Sequence, residues 1–380
     1  MKKQAVVLGC GMVGATIARD LATDDQFEVT VADVSENNLA RVSGVTDVTT
    51  RVTDLSTPQA VAEVIQEADV VLGAMPSRLG RMVLQTVIEA GKSFSDISFM
   101  IEDAREFDGL AQRKGVTAVV DCGVAPGLAN LIIGHCHATL DRTDRIAYYV
   151  GGLPKAPAWP YFYKAPFAPS DVIEEYTRPA RLRVDGRNLV RPALSEPERI
   201  RFEGIGELEA FNTDGLRSLL DTIDCPNMVE KTLRWPGHAE LMAIFRETGF
   251  FSKEEIDVRG TRVRPLDVTA KLLFPVWTYQ PGEEEFTILR VVVEGQESGE
   301  QVRLIYELYD VYDAKTDQTS MARTTGFPCA IVGRMLARGE ITQNGVLPPE
   351  LLGKHPGMLD RITEELSRRG VHIQHRREVL

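Results

Sequence analysis

Short apolar runs alternate with helical periodicity along the first third of the chain. Ala5–Leu8 is a continuous apolar run of the kind buried in a parallel sheet. In Met12–Leu21, Val13, Ile17, Ala18 and Leu21 recur at helical spacing, and a second β-branched run over Val29–Val31 ends at Asp33. A short helix is predicted over Asn37–Val42, a strand over Val48–Val52, and a helix over Pro58–Ala68 with proline near its start. Asp69–Ala74 reads as a strand, and Arg78–Ala90 as an amphipathic helix with Leu79, Met82, Val83, Thr86, Val87 and Ala90 on one face. Ser93–Asp96 is a short strand, Ile101–Lys114 a helix stopped by Gly115, and Val116–Asp121 a sixth strand. Such alternation predicts an α/β Rossmann domain, a doubly wound parallel sheet, over residues 1–125.

From Arg145 the pattern changes. Ile146–Gly151 is a strand, and the proline- and aromatic-rich stretch 155–169 reads as an ordered loop over a pocket or as a subunit contact. Short strands follow over Ala180–Val190 and Arg199–Phe202, then a helix from Asp214 and a strand over Met228–Trp235. Phe286–Glu294 and Gln301–Tyr312 flank the turn G-Q-E-S-G-E and predict a hairpin. These elements make residues 126–321 a mixed α+β substrate-binding and dimerisation domain. Residues 322–380, with helices over Arg323–Arg338 and Met358–Arg369 and a last strand near His372, are expected to return to the Rossmann domain.

Composition narrows the function classes. The chain has 380 residues, 43% of them hydrophobic and 26% charged, enough for two packed domains. A net charge of −12 argues against nucleic acid or an acidic membrane surface as partner. No apolar run reaches the ~20 residues of a membrane span, and the immediate start of a strand leaves no room for a signal peptide, so a cytoplasmic protein is expected. Cys10, Cys122, Cys136, Cys225 and Cys329 form no C-x-x-C pair and suit reduced thiols. His135 and His137 diverge on a helix, and no metal site is expected.

The candidate chemistry begins at Gly9, Gly11 and Gly14, a G-x-G-x-x-G between strand and helix. One glycine serves the tight turn, one the approach of a pyrophosphate, and one close helix–strand packing. Met12 and Val13 open the helix whose N-terminus favours phosphate. Asp33, some 20 residues on, is placed to accept both ribose hydroxyls and to repel a 2′-phosphate, and no Arg or Lys follows it directly. NAD is therefore the expected cofactor. In such a sheet the loops after the strands carry the ligand. They bring in Asp54, for the adenine or as a helix cap, Ala74 and Pro76 beside the nicotinamide, and Asp96.

Four later segments occur in order: D-C-G-V-A-P-G (121–127), E-A-F-N-T-D-G-L (209–216), K-T-L-R-W-P-G-H-A-E (231–240) and M-A-R-T-T (321–325). Together they give the chain, over nearly its whole length, a resemblance to the saccharopine dehydrogenase/reductase-like family. G-V-A-P-G resembles its lysine 6-dehydrogenase branch; the saccharopine reductases carry a segment like L-D-P-G-I-D-H, with His where this chain has Asn130, and a Phe-like residue where it has His238. The resemblance implies NAD-dependent oxidation of the ε-amino carbon of lysine to a semialdehyde, with loss of ammonia and cyclisation, and homodimers formed through the second domain. Hydride loss from a C–N carbon needs the neutral amine and hence a base. Asp121 is one candidate, or else a helix cap. His238 is another, suited by its ordinary pKa, or else a structural residue at a helix start. Arg234 aligns with the arginine of the family's T-L-R-Y motif and is the candidate carboxylate clamp, the alternative being a surface ion pair. Asn212 and Thr213 bind the amino acid's polar end or cap a helix. Tyr163 and Phe167 match aromatic positions that would shield the alkyl chain, and Arg323 is a further substrate candidate.

Overall fold

The computed structural model describes residues 2–280 and 282–380. They fall into two units. One comprises the chain up to Ala138 together with Ala322–His372, the other Thr139–Met321 and Ile373–Leu380. The division differs from the predicted boundaries at two points. Helix Leu128–Thr139 belongs almost wholly to the first unit, and the final strand belongs to the second.

The first unit is built on a parallel sheet. Its strand order among the described residues is 345–347, 117–119, 93–96, 70–73, 3–8, 27–33 and 48–52, with every neighbouring pair parallel. The apolar runs are strands because both their faces are covered: Val70–Gly73 is buried at every position. Helices Met12–Leu21 and Ser77–Glu89 form where periodicity predicts them. Two helices are shorter than predicted. Pro58 opens a helix that stops at Val64, and the segment predicted as helix from Ile101 begins as a 3-10 turn at Ala104, led in by Asp103 accepting from Arg105 N. The seventh strand, Gly345–Leu347, is three residues long and too short to announce itself by periodicity. It is held by tertiary bonds, Val346 N to Asp108 Oδ1 at 2.9 Å and Thr117 Oγ1 to Gln343 O at 2.8 Å.

Helix Ser320–Arg338 brings the chain back into this unit. Gly333 lies so close to Leu72 that a Cβ would meet its side chain at 2.6 Å. Arg334 then reaches the buried carboxylate of Asp20, whose Oδ1 also accepts from Arg369 Nε at 2.6 Å. Arg334 and Arg338 share Asp24 as well.

The second unit carries a mixed sheet. Its main path among the described residues is 198–202, 206–212, 227–234, 142–154, 285–297, 300–311 and 373–379, and the hairpin 180–184/187–191 attaches to 227–234. All main-path neighbours are antiparallel except 227–234 against 142–154. The hairpin predicted around G-Q-E-S-G-E is present as Glu285–Glu297 and Glu300–Val311. In place of the helix predicted from Asp214 there is only the short turn of helix Leu219–Thr222, preceded by the unpredicted strand Gly206–Asn212. Helices Pro169–Thr177 and Pro265–Trp277 were likewise not expected; each opens on a proline in its first turn. Tyr163, Tyr176, Phe211, Met242 and Trp277 form an aromatic-rich core between these helices and the sheet. The aromatic stretch is thus divided: Trp159 is 82% exposed, whereas Tyr163 and Ala165 are core.

The Asp20 network yields a stability prediction. Removing one partner of a buried, multiply paired ion leaves the others uncompensated and costs about 3 kcal/mol or more. Urea unfolding of Asp20→Ala should show that loss, while Glu364→Ala, at an exposed pair with Arg368, should change stability by roughly 0.5 kcal/mol or less.

Candidate functional site

The glycine loop is shaped by backbone contacts. Gly9 has φ +94°, and a Cβ there would lie 2.5 Å from the Ala74 carbonyl oxygen; a Cβ on Gly14 would lie 2.1 Å from the carbonyl oxygen of Gly9. Gly11 is different. Nothing lies within 4 Å of its Cβ position, so this glycine faces open space. It stands at the N-cap of helix Met12–Leu21, with no side chain capping the first-turn amides. An uncapped helix N-terminus behind an open glycine, between strands 3–8 and 70–73 where the strand order reverses, fits a dinucleotide pyrophosphate. Met12 and Val13 are half-buried at this terminus.

Asp33 ends the second strand, its side chain nearly buried. Its Oδ2 accepts from Cys10 N at 2.7 Å and its Oδ1 from Ser35 N at 2.8 Å, with Asn38 Nδ2 at 3.3 Å. The carboxylate therefore ties the glycine loop and Asn38 to the end of the second strand. Asp54 is exposed and folds back on Ser56 N at 3.0 Å. It does not cap the following helix, since Thr57 Oγ1 accepts from Ala60 N there. Ala74 is half-buried and Pro76 exposed at the end of strand 70–73. Asp96 departs from expectation: its carboxyl is fully buried over Gly73, a Cβ of which would meet Oδ1 at 2.1 Å. Burial, partly offset by the Ser98 hydroxyl at 2.5 Å, raises it to about 7, and Oδ1 has no hydrogen-bond partner. It is a support beneath the loops, not a surface ligand. Burial pushes the Cys10 thiol up to about 11, which leaves it un-ionised at neutral pH.

Asp121 follows the sixth strand with φ +51°, a left-handed conformation that non-glycine residues adopt at a cost. It is buried, and its charge lies close enough to Asp96 to add to the rise of that carboxyl. Asn130 takes the start of the next helix, accepting from Gly127 N at 3.1 Å and donating to Glu350 at 3.3 Å. Arg323 lies on helix Ser320–Arg338, where its Nη2 donates to the Arg369 carbonyl at 3.2 Å.

In the second unit Arg234 ends strand Asn227–Arg234 and is almost fully buried. Its Nη2 donates to Glu175 Oε2 at 2.8 Å, its Nε to Tyr176 Oη at 3.1 Å and its Nη1 to the Leu233 carbonyl at 2.9 Å. Its guanidinium lies 4.5 Å from the centre of the Tyr163 ring. The alternative of a surface ion pair is thereby corrected: the pair is buried. His238 opens helix His238–Glu247 inside the same core. Its Nε2 bonds Tyr176 Oη at 2.8 Å and its Nδ1 the Tyr161 carbonyl at 2.7 Å. Burial, reinforced by the charge of Arg234, lowers its pKa to about 3. The ring is neutral at physiological pH and both nitrogens are occupied, so proton transfer near neutrality, expected from its ordinary pKa, is corrected to a structural role. Asn212 and Thr213 are also turned inward. Asn212 Nδ2 donates to Ser195 and Glu196, Thr213 Oγ1 bonds Glu230 and Thr232, and neither caps a helix. Phe167 packs, half-buried, against the aromatic core.

Sequence reasoning missed Glu175 and Tyr176. They lie on a nine-residue helix whose signal is masked by the prolines and aromatics before it. Among the described residues no cluster of His, Cys, Asp and Glu is placed to hold a metal ion, and no helix is long and apolar enough to cross a membrane.

Two family models cover the chain in order, the second running across residues of both units. Residues 5–119 match the saccharopine dehydrogenase NADP binding domain, and residues 120–371 the saccharopine dehydrogenase C-terminal domain. Among curated relatives, the α-aminoadipic semialdehyde synthase of Arabidopsis thaliana is 25% identical over 81% of this chain, which spans only 37% of that protein's length. The Saccharomyces cerevisiae saccharopine dehydrogenase [NADP(+), L-glutamate-forming] is 23% identical over 98% of this chain and 99% of its own. The solved apo structure of the saccharopine dehydrogenase (L-Glu forming) from Saccharomyces cerevisiae superposes with a TM-score of 0.79 at 18% identity, over 99% of this chain and 100% of that one, and shares the fold. With both domain models matched in order over residues 5–371, the chain belongs to the saccharopine dehydrogenase family.

Proposed function

We propose that this chain is an NAD-dependent oxidoreductase that converts lysine, NAD and water to the 6-semialdehyde, ammonium, NADH and a proton, the semialdehyde then cyclising. The observation that carries the reading is the open glycine loop: an uncapped helix N-terminus behind Gly11, tied by Asp33, fits a dinucleotide. A bound nicotinamide ring would supply the hydride acceptor. Asp33, as the ribose acceptor, supports NAD over NADP.

The chain's own residues supply the rest. Arg234 holds the α-carboxylate, its guanidinium oriented by Tyr163 and Tyr176. Tyr163 and Phe167 shield the methylenes. Asp121 takes the ε-ammonium proton, freeing the lone pair that drives hydride from the adjacent carbon, and later assists the attack of water. His238 moves no proton; it fixes the Tyr176 hydroxyl against Arg234.

A second reading is a saccharopine- or carboxynorspermidine-type dehydrogenase, favoured by the activities named for the matched relatives. A third, from another class, is a protein that senses NAD without turnover. Three measurements separate and test these readings. NADH absorbance should rise with NAD and free lysine and stay flat with saccharopine or diamines; turnover of saccharopine alone establishes the second reading, and none with any amine the third. Asp33→Ala should raise the KM for NAD by about 10- to 100-fold, the loss of hydrogen bonds to a charged acceptor, and leave the lysine KM within about twofold. His238 should also mark the stability profile. Its folded pKa lies below its unfolded value of about 6.5, so its contribution is complete above that pH and falls by up to about 1.4 kcal/mol per pH unit on acidification toward pH 3. Unfolding free energies of wild type and His238→Asn at pH 7 and pH 5 should show a steeper acid loss for wild type.

A further inference from the structure

The Arg234–Glu175 pair has features that a purely structural ion pair would not need. Arg234 uses three of its five N–H donors, on Glu175, Tyr176 and Leu233, and two remain. Glu175 engages Arg234 through Oε2 only. The guanidinium side chain is 3% exposed and the carboxylate side chain 22%, so the way in runs past Glu175. Around the pair stand polar groups whose bonds are unmade: the Tyr163 hydroxyl and the Trp277 indole N–H are buried without any hydrogen-bond partner, and so is the Tyr279 hydroxyl. Buried polar atoms in folded proteins are almost always satisfied, and a cluster of exceptions beside a charged pair is what a missing polar ligand leaves. The aromatic rings of Tyr161, Tyr163 and Trp277 form an apolar wall next to it.

We propose that Arg234 and Glu175 together form a receptor for the zwitterionic head of an α-amino acid, Arg234 taking the α-carboxylate and Glu175 the α-ammonium. The assignment rests on the reading of Arg234 as the carboxylate clamp and adds the group that recognises the other half of the head. The charges are the argument. Empty, the site holds one positive and one negative group paired with each other. A zwitterion inserted between them pairs each with its opposite, and the net charge of the buried region is unchanged. A carboxylate without an ammonium leaves Glu175 unpaired beside a second anion. An amine without a carboxylate has no anion to offer Arg234. Both mismatches bury an uncompensated charge. Burial raises the Glu175 carboxyl above its ordinary value and the Arg234 charge opposes that rise, while Arg234 Nη2 donates to Glu175 Oε2 at 2.8 Å.

Calorimetry on the full chain with NADH present tests this with three unreactive probes: norleucine, hexanoate and hexylamine. Norleucine should bind at least about tenfold more tightly than either of the others, the scale of one hydrogen bond to a charged group. Glu175→Gln should erase that preference by weakening norleucine about tenfold while leaving hexanoate unweakened. Hexanoate binding wild type as well as norleucine does overturns the proposal, and that comparison needs no variant, so it stands even where Glu175→Gln fails to fold. A folded Glu175→Gln that binds norleucine as wild type does overturns it too. The probes lack the ε-amino group, so failure of lysine oxidation with norleucine preference intact removes the proposed reaction and leaves the receptor, whereas lysine oxidation without that preference removes the receptor alone.

Discussion

The buried carboxylate of Asp20 is the constraint on which the first unit depends. It sits on the first helix, the same helix whose N-terminus faces the glycine loop, and it is held by Arg334 and Arg369 from a segment that the chain reaches only after completing most of the second unit. Two arginines on one carboxylate, with Asp24 sharing the positive charge, give the buried region paired ions and not a lone charge. The orientation of helix Met12–Leu21, and with it the direction of its free amides, is set at its C-terminal end by these contacts and at its N-terminal end by the approach of Gly14 to Gly9. A rigid rod fixed at both ends presents its first turn in one place, which is what recognition of a phosphate by backbone amides needs.

The buried charges of the second unit follow another logic. Arg234 is surrounded by rings, and its one counter-ion is a carboxylate near the end of a short helix. Where both oxygens of Asp20 are paired with arginines, this pair has donors to spare and unpaired hydroxyl and indole neighbours. Saturation marks a structural ion pair, and unfinished hydrogen bonding marks a place for something that comes and goes.

Much of the first unit is legible in the sequence because its elements are defined locally. A parallel strand covered on both faces is apolar at each position, and G-x-G-x-x-G with Asp33 has a spacing set by backbone geometry. Gly345–Leu347 escapes because three residues have no period, and its place in the sheet depends on pairing Gly345 with Thr117, far back in the chain. In the second unit the long hairpin is readable from its turn, but helix Pro169–Thr177 is hidden behind a stretch in which prolines and aromatics serve partly as surface and partly as core. The site residues divide on similar lines. Residue type points to Arg234 and His238, yet the protonation state of a histidine belongs to its surroundings. Only the fold shows that both ring nitrogens of His238 are taken and that Arg234 already has Glu175 as a companion.

The strand Ile373–Val379 carries a consequence for how the chain is made. It pairs along Glu300–Val311 and covers what would otherwise be an outer margin of the second sheet. On a ribosome that margin is synthesised well before its cover, because the whole helical return to the first unit comes between. During that interval the nascent chain carries an unprotected row of amides and carbonyls, a template for any extended segment nearby. Both strands are dense in charge, with Arg303, Glu307, Arg376 and Arg377 among them, a composition that discourages stray pairing while the proper partner is still unmade.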